Sequence, residues 1–412
     1  MYILLSIIVI ILNTVSGISA QDSTLRVMIT DRNNKKDSAL SPFTEEQSSW
    51  FRNPEIPSFV IQGPDKLFSL GIGGFLNLTS SYDIDGIIND LDFITYKIQL
   101  PQNSYEKQQF QMYANASLLY FKVIQKISDK NLVGYLSANF RGVDNTFNLY
   151  QVYVKYLGLE FGKNWSTFSD EASWPITVNY LGLNSMTEVL NPLIRYKHKF
   201  AKVWEAGLSL EMPDFKTEFE YVINLKQKVP DIPAFLQYSF GSSHIRLAGI
   251  YRNLLYRDTI NNENKSVTGA GVSLTGDVNF SRKVQMYFLA IYGEGIGNYI
   301  EDLSIDRLNV YPVTGEPGIL AALPAYAYFG ALQYNFNKDL FSTLMYSQLK
   351  VFPINYPDPD FYSYGIQFAG NMFWNFLPSA QAGLEYCFGK RVNQDGAFAT
   401  ANRFEFMLQY NF

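Results

Sequence analysis

From Leu67 onward the chain alternates apolar and polar positions in short runs separated by turn residues. The last ten residues show the pattern most plainly. Phe404, Phe406, Leu408, Tyr410 and Phe412 alternate with Arg403, Glu405, Met407, Gln409 and Asn411. Successive side chains of a strand point to opposite faces, so this stretch predicts a strand with one aromatic face and one polar face. Such a strand suits lipid on one side and a watery lumen on the other. The closing strand of a soluble antiparallel sheet would read similarly. The two-faced pattern recurs upstream. Ala270, Val272, Leu274, Val278 and Phe280 alternate with Gly271, Ser273, Thr275, Asp277 and Asn279. Ala382, Leu384, Tyr386 and Phe388 alternate with Gln381, Gly383, Glu385 and Cys387.

Alternation and turn chemistry together predict about sixteen strands between residues 67 and 412. Short joints fall at 128–131, 157–158, 201–202, 241–243, 281–282, 337–338 and 376–377. Long ones fall at 83–107, 142–146, 166–190, 212–231, 257–265, 294–323, 351–360 and 390–401. Short and long connections alternate along the series, as the periplasmic turns and outer loops of a membrane barrel do. A soluble sandwich has no reason for that parity. The fold class expected is therefore all-β, a transmembrane antiparallel β-barrel with both ends on the periplasmic side. The small and polar inward residues predict an open channel rather than a packed core, because a barrel of this size leaves an aqueous interior.

Composition supports that reading. Aromatic residues make up 16% of the chain and charged residues only 17%, against roughly 25% charged in soluble domains. The net charge of -5 gives no reason to expect nucleic acid as a partner. Residues 1–20 read as a secretory signal, an apolar run from Tyr2 to Leu12 followed by small residues ending at Ala20. Residues 21–66 are polar and proline-bearing, and read as a periplasmic lead-in or plug ahead of the barrel at 67–412. Cys387 is the single cysteine, so no intramolecular disulfide framework exists. It reads as a small strand residue.

If the apolar faces point to lipid, several basic side chains point inward: Arg141, Lys155, Arg195, Lys197, Lys199, Arg246 and Arg252. A positive field focused in a low-dielectric channel concentrates anions, and Arg can clamp a carboxylate through two hydrogen bonds. The competing reading pairs these cations with Glu205, Glu385, Glu405 and Asp277. The connection from Ser166 to Leu190 holds Asp170, Glu171, Trp174 and Glu188. Folded into the barrel, with Trp165, Ser166, Thr167, Asp170 and Glu171 shaping a constriction, it would set an acidic loop against a basic wall. Catalysis has little to work with. His198 and His244 lie in no metal-ligand spacing or nucleophile motif, so neither metal nor cofactor is expected. Two other functions remain open: an adhesin or structural anchor acting through loops 212–231 and 294–323, and a barrel hydrolase.

Several stretches carry a family resemblance: Leu70 to Asp85, Leu159 to Asp170 (Leu-Glu-Phe-Gly-Lys-Asn-Trp-Ser-Thr-Phe-Ser-Asp), Ile250-Tyr-Arg252, Ile291 to Tyr299 and Gly383 to Arg391. Over roughly residues 67 to 412 the chain resembles the DcaP-like trimeric outer-membrane porins. The resemblance implies a sixteen-stranded homotrimeric channel in a Gram-negative outer membrane, with a basic lumen passing small anions such as dicarboxylates. Family members often carry an N-terminal coiled coil, and residues 21–66 show no heptads. The terminal Phe412 resembles the end that barrel-assembly machinery recognises in such proteins.

Overall fold

The computed structural model describes residues 26–29, 43, 57–87, 91–102 and 107–412. The signal segment at 1–20 and most of the lead-in lie outside the described residues. Sixteen antiparallel strands form a closed barrel, numbered here in chain order. They are β1 (Phe68–Asp85), β2 (Gln109–Tyr113 and Leu118–Ile127), β3 (Lys130–Asn139), β4 (Asn148–Tyr156) and β5 (Leu159–Trp165). Next come β6 (Leu190–Phe200), β7 (Trp204–Glu211), β8 (Ile232–Phe240), β9 (Ser243–Asp258), β10 (Glu263–Asn279) and β11 (Val284–Glu294). The last five are β12 (Pro324–Asn335), β13 (Leu340–Val351), β14 (Tyr362–Leu377), β15 (Ala380–Asn393) and β16 (Phe398–Asn411).

Closure is made by β16 against β1, in register from Asn402↔Asp85 to Asn411↔Phe75. Phe412 finishes the seam: its N–H donates to the Gly74 carbonyl at 3.0 Å and its carbonyl accepts from the Gly74 N–H at 2.9 Å. A closed ring leaves no sheet edge unpaired in lipid, where each unsatisfied backbone group would cost several kcal/mol. Below the seam, β1 runs on past the end of β16. There it pairs with a short strand, Phe59–Gln62, which in turn pairs with Arg26–Ile29. Phe43 and Pro57 pack over Gly71 on the inward face of β1, at its periplasmic end, leaving no room for a Cβ there. Among the described residues no helix is long and apolar enough to cross a membrane.

The expected faces are the observed ones. Phe404, Phe406, Leu408 and Tyr410 are exposed on the outer wall, whereas Arg403, Glu405, Met407 and Gln409 are buried inside. Aromatic rings gather near the turns, as with Trp204 and Tyr238 at 4.9 Å and Tyr334 and Phe336 at 5.0 Å. Two connections expected to be long are short. β9 and β10 stay paired as far as Asp258↔Glu263, and β15 and β16 as far as Val392↔Phe398, so both hairpins extend into what read as loops.

The lumen corrects one expectation. It is not simply open, because an apolar core fills the side bounded by β11–β13. Leu289, Ile291, Ala325, Ala327, Phe329 and Leu349 point inward from the strands. Against them pack Phe93 from the 86–108 connection, Trp174, Leu183 and Met186 from 166–189, and Tyr299 and Leu303 from 295–323. These strands are apolar on both faces, which gives the inward-folded loops something to bury against.

Candidate functional site

The site is the narrowed lumen, and the 166–189 loop makes it. The loop leaves β5 at Trp165, whose ring meets Trp174 edge-on at 4.9 Å and Tyr150 at 5.6 Å. Its base is tied down at once. Ser166 N–H donates to the Val189 carbonyl (2.8 Å), Thr167 N–H to Glu211 Oε1 (2.7 Å), and Ser209 Oγ to Thr167 Oγ1 (2.7 Å). Asp170 then reaches β9 and β10. One of its oxygens meets His244 Nε2 at 2.8 Å and Thr275 Oγ1 at 2.6 Å, and the other lies 3.5 Å from Arg246 Nη1. Burial pushes the Asp170 carboxyl up, but Arg246 and the His244 and Thr275 bonds outweigh it and hold it well below the usual carboxylate range. Glu171 opens a single 3-10 turn, Glu171–Ser173.

From there the loop crosses the lumen to β14 and β15. Val178 and Asn179 N–H donate to the two oxygens of Glu385 at 3.0 and 3.1 Å, and Asn371 Nδ2 donates to the Ile176 carbonyl at 2.8 Å. Asn184 N–H donates to Gln367 Oε1 at 2.8 Å, and Ser185 Oγ meets Ser347 Oγ at 2.6 Å on β13. Tyr180 closes toward β3: its hydroxyl accepts from Asn139 Nδ2 at 3.1 Å, and the Arg141 guanidinium stacks on its ring at 4.0 Å. The constriction is thus a chord strung from β5 through β9–β10 to β14–β15. Polar inward residues of the wall hold it.

Two further connections lean on it. Glu301 and Asp302 N–H donate to the Met186 and Asn184 carbonyls at 2.9 and 3.2 Å. The Asp302 carboxylate accepts from Tyr96 N–H at 2.9 Å and from the Thr95 hydroxyl, joining the 86–108 and 295–323 connections. Burial pushes the Asp302 carboxyl up to about 7. Glu301 is driven well above its ordinary value by burial first, then by Glu188, Asp302 and Asp92.

The seven inward cations do not form one array. Lys155, Arg195, Lys197 and Arg246 lie together on the β4–β9 wall, interleaved with two carboxylates. Glu160 pairs with Arg195 at 2.6 Å and with Lys155 at 3.7 Å, and Asp170 pairs with Arg246. Lys197 has no ion pair among the described residues and lies 5.8 Å from the Phe235 ring, over which Arg246 also stacks at 4.3 Å. Four cations thus stand against Glu160 and Asp170, while Glu211 of β7, buried on the same wall, accepts from Thr167 and Ser209. The other three are elsewhere. Arg141 is bonded to Asp92. Arg252 is fully buried, held by Asp231 at 2.9 Å and the Gly295 carbonyl at 2.8 Å. Lys199 stands at the periplasmic rim, its side chain 80% exposed, 3.6 Å from Glu205. Of the expected carboxylate partners only Glu205 is used in this way. Glu385 anchors the loop and Glu405 lies near Arg403.

Sequence reasoning missed Arg403 and His244. Arg403 is fully buried, and its Nε and Nη2 clamp Asp83 at 2.6 and 3.0 Å across the barrel seam. Its place on the polar face of the last strand was the available signal. His244 lies in no recognisable motif, and nothing in its spacing pointed to a structural anchor. It is buried, and it anchors the constriction loop through Asp170.

No family model matches the chain. No curated protein matches it by sequence either. Solved structures do match. The outer membrane channel DcaP of Acinetobacter baumannii superposes with a TM-score of 0.74 at 19% identity, over 84% of this chain and 97% of that one. An anion-selective porin from Comamonas acidovorans gives 0.56 at 9% identity, over 84% and 100%. Salmonella typhi OmpF, in complex with daunomycin, gives 0.56 at 11% identity, over 84% and 98%. The fold is therefore the sixteen-stranded barrel of outer-membrane porins, in agreement with the architecture that the sequence resemblance implied.

Proposed function

We propose that this protein is an outer-membrane porin, a passive channel for small hydrophilic solutes with a preference for anions, and that it performs no covalent chemistry. The observation that carries the reading is the 166–189 loop, folded into the lumen and bonded to opposite walls through Asp170 and Glu385. An inward loop held this firmly narrows a passage without a moving part. The preference rests on the patch of Lys155, Arg195, Lys197 and Arg246, which exceeds Glu160 and Asp170 by two charges. In a low-dielectric channel such an excess raises the local concentration of anions. Carboxylates of the inward loops, Asp92 and Glu188, supply the other pole. Small dicarboxylates fit this field. The working unit is a homotrimer, as the sequence resemblance implies, and Phe412 at the seam serves recognition by barrel-assembly machinery.

Liposome swelling tests the reading. Vesicles containing the folded protein should swell faster in a dicarboxylate than in a diamine of equal size, and faster in either than protein-free vesicles. Equal rates for the two solutes would remove the anion preference, and no swelling would remove the channel. The adhesin alternative would then gain ground.

A further inference from the structure

On the inward face of β15 and β16, under the middle of the constriction loop, Glu385 and Glu405 are cross-strand partners, and Cys387 follows Glu385 on the same face. All three are buried, at 1%, 0% and 0% exposure. One oxygen from each carboxylate and the Cys387 Sγ lie within 4.8 Å of one another. Glu385 is satisfied by the Val178 and Asn179 N–H groups, Asn371 Nδ2 and the Cys387 thiol. Glu405 is not. Neither of its oxygens accepts a hydrogen bond from the described residues. Its nearest cation, Arg403, stands 3.5 Å away and is already clamped on Asp83. Ser81, the partner of Glu405 across the seam on β1, is likewise buried with its hydroxyl unpartnered.

Charge makes the same point. Among the described residues, Asp83, Asp92, Glu385 and Glu405 share this interior with Arg141 and Arg403. A buried carboxylate that accepts no hydrogen bond costs several kcal/mol, so it takes up either a proton or a further cation. A proton on Glu405 would need an acceptor, yet no hydrogen bond joins it to Glu385, whose oxygens already face four donors. A divalent cation among the three ligand atoms offsets two of the three negative charges of two carboxylates and a thiolate, and gives the Glu405 oxygens a ligand bond.

We propose that Glu385, Cys387 and Glu405 form a divalent-metal site for a borderline-soft ion of the Zn2+ type. Carboxylates alone would suit Ca2+ or Mg2+, but the sulfur ligand turns the set toward Zn2+. As the metal–sulfur bond forms, the thiol proton leaves to solvent, so affinity falls on acidification. A water would complete the fourth position. Because Glu385 also holds Val178 and Asn179, the ion would fix the anchor of the constriction loop.

Cd2+, which gives a sulfur-to-metal charge-transfer absorbance, is the probe. The full-length protein, folded in detergent and stripped with chelator, should bind one Cd2+ per chain with that absorbance and lose it to competing Zn2+. Glu405→Gln should weaken Cd2+ binding by about tenfold or more, on the scale of losing a group that tunes a metal site, and Cys387→Ser should abolish the absorbance. Absence of stoichiometric binding in the native protein, or undiminished binding in folded Glu405→Gln, overturns the site. Should Glu405→Gln fail to fold, equilibrium dialysis of Zn2+ against the near-isosteric Cys387→Ser decides: weakened binding supports the site, and unchanged binding overturns it.

Discussion

Asp170→Ala is the most informative perturbation of the constriction. In the native protein this carboxylate accepts from His244 at 2.8 Å and Thr275 at 2.6 Å, and faces Arg246 at 3.5 Å. Removing one partner of a buried ion pair costs about 3–5 kcal/mol. The barrel should survive, because Thr167, Val178, Asn179 and Asn184 still tie the loop to the wall. Two effects on transport follow. The loop segment loses its hold on β9–β10, so the passage widens and single-channel conductance rises. Arg246 also loses its counter-charge, so the excess of the basic patch grows from two to three. For an anion passing about 5 Å from the freed charge, a water-like dielectric gives roughly 0.8 kcal/mol, about fourfold in its favour; a cation loses as much, so the anion-to-cation permeability ratio rises by about sixteenfold. The assay is the reversal potential of single channels in a salt gradient, native against variant, with heat-modifiable gel mobility as the folding control. Unchanged conductance and an unchanged or more cation-selective ratio in a folded variant would refute the assignment of Asp170 as both anchor and counter-charge.

Three further outcomes are expected. Reversing Lys155 and Lys197 together to Glu should turn the channel from anion- to cation-preferring in the same assay, because Lys197 has no ion pair among the described residues and Lys155 is held only at 3.7 Å. The Asp302 carboxyl, pushed up to about 7, keeps a proton that an unfolded chain would release near 3.9. Between those values the folded state holds the extra proton, so the contribution to stability falls as pH rises and is lowest above about 7. Conductance fluctuations should increase as pH is raised through 7, and Asp302→Asn should remove the dependence. Deleting Phe412 removes two backbone hydrogen bonds at the seam, each worth about 1 kcal/mol. The yield of heat-modifiable barrel in membranes should drop, and an unchanged yield would count against a role for this residue in closure.

The barrel was legible because each strand needs only a period of two, and lipid on one side makes that period strict. Phe404 to Phe412 and the alternation of short and long connections carried it. The hairpins that overrun lipid, 258–263 and 392–398, were harder, since outside lipid the outer face need not be apolar. Tyr287, Leu289 and Ile291, alternating with Phe288, Ala290 and Tyr292, are apolar on both faces, which marks a strand covered inside as well as out. That was the available sign of inward-packed loops. The electrostatic pairs were less accessible. Arg141 with Asp92, Arg252 with Asp231 and Arg403 with Asp83 join residues up to 320 positions apart. Cation positions can be read from a strand pattern, but their partners come from loops whose path depends on packing. Lys199 illustrates the limit: its inward face was legible, whereas its height at the rim depended on where the turn fell.

The most direct single measurement is the zero-current potential of the refolded protein in a planar bilayer across a potassium chloride gradient. A potential on the chloride side is expected, from the excess of Lys155, Arg195, Lys197 and Arg246 over Glu160 and Asp170. A potential on the potassium side would mean that loop carboxylates such as Asp92 and Glu188 dominate the passage. It would contradict the anion preference, and a correctly folded barrel that never conducts would contradict the channel itself.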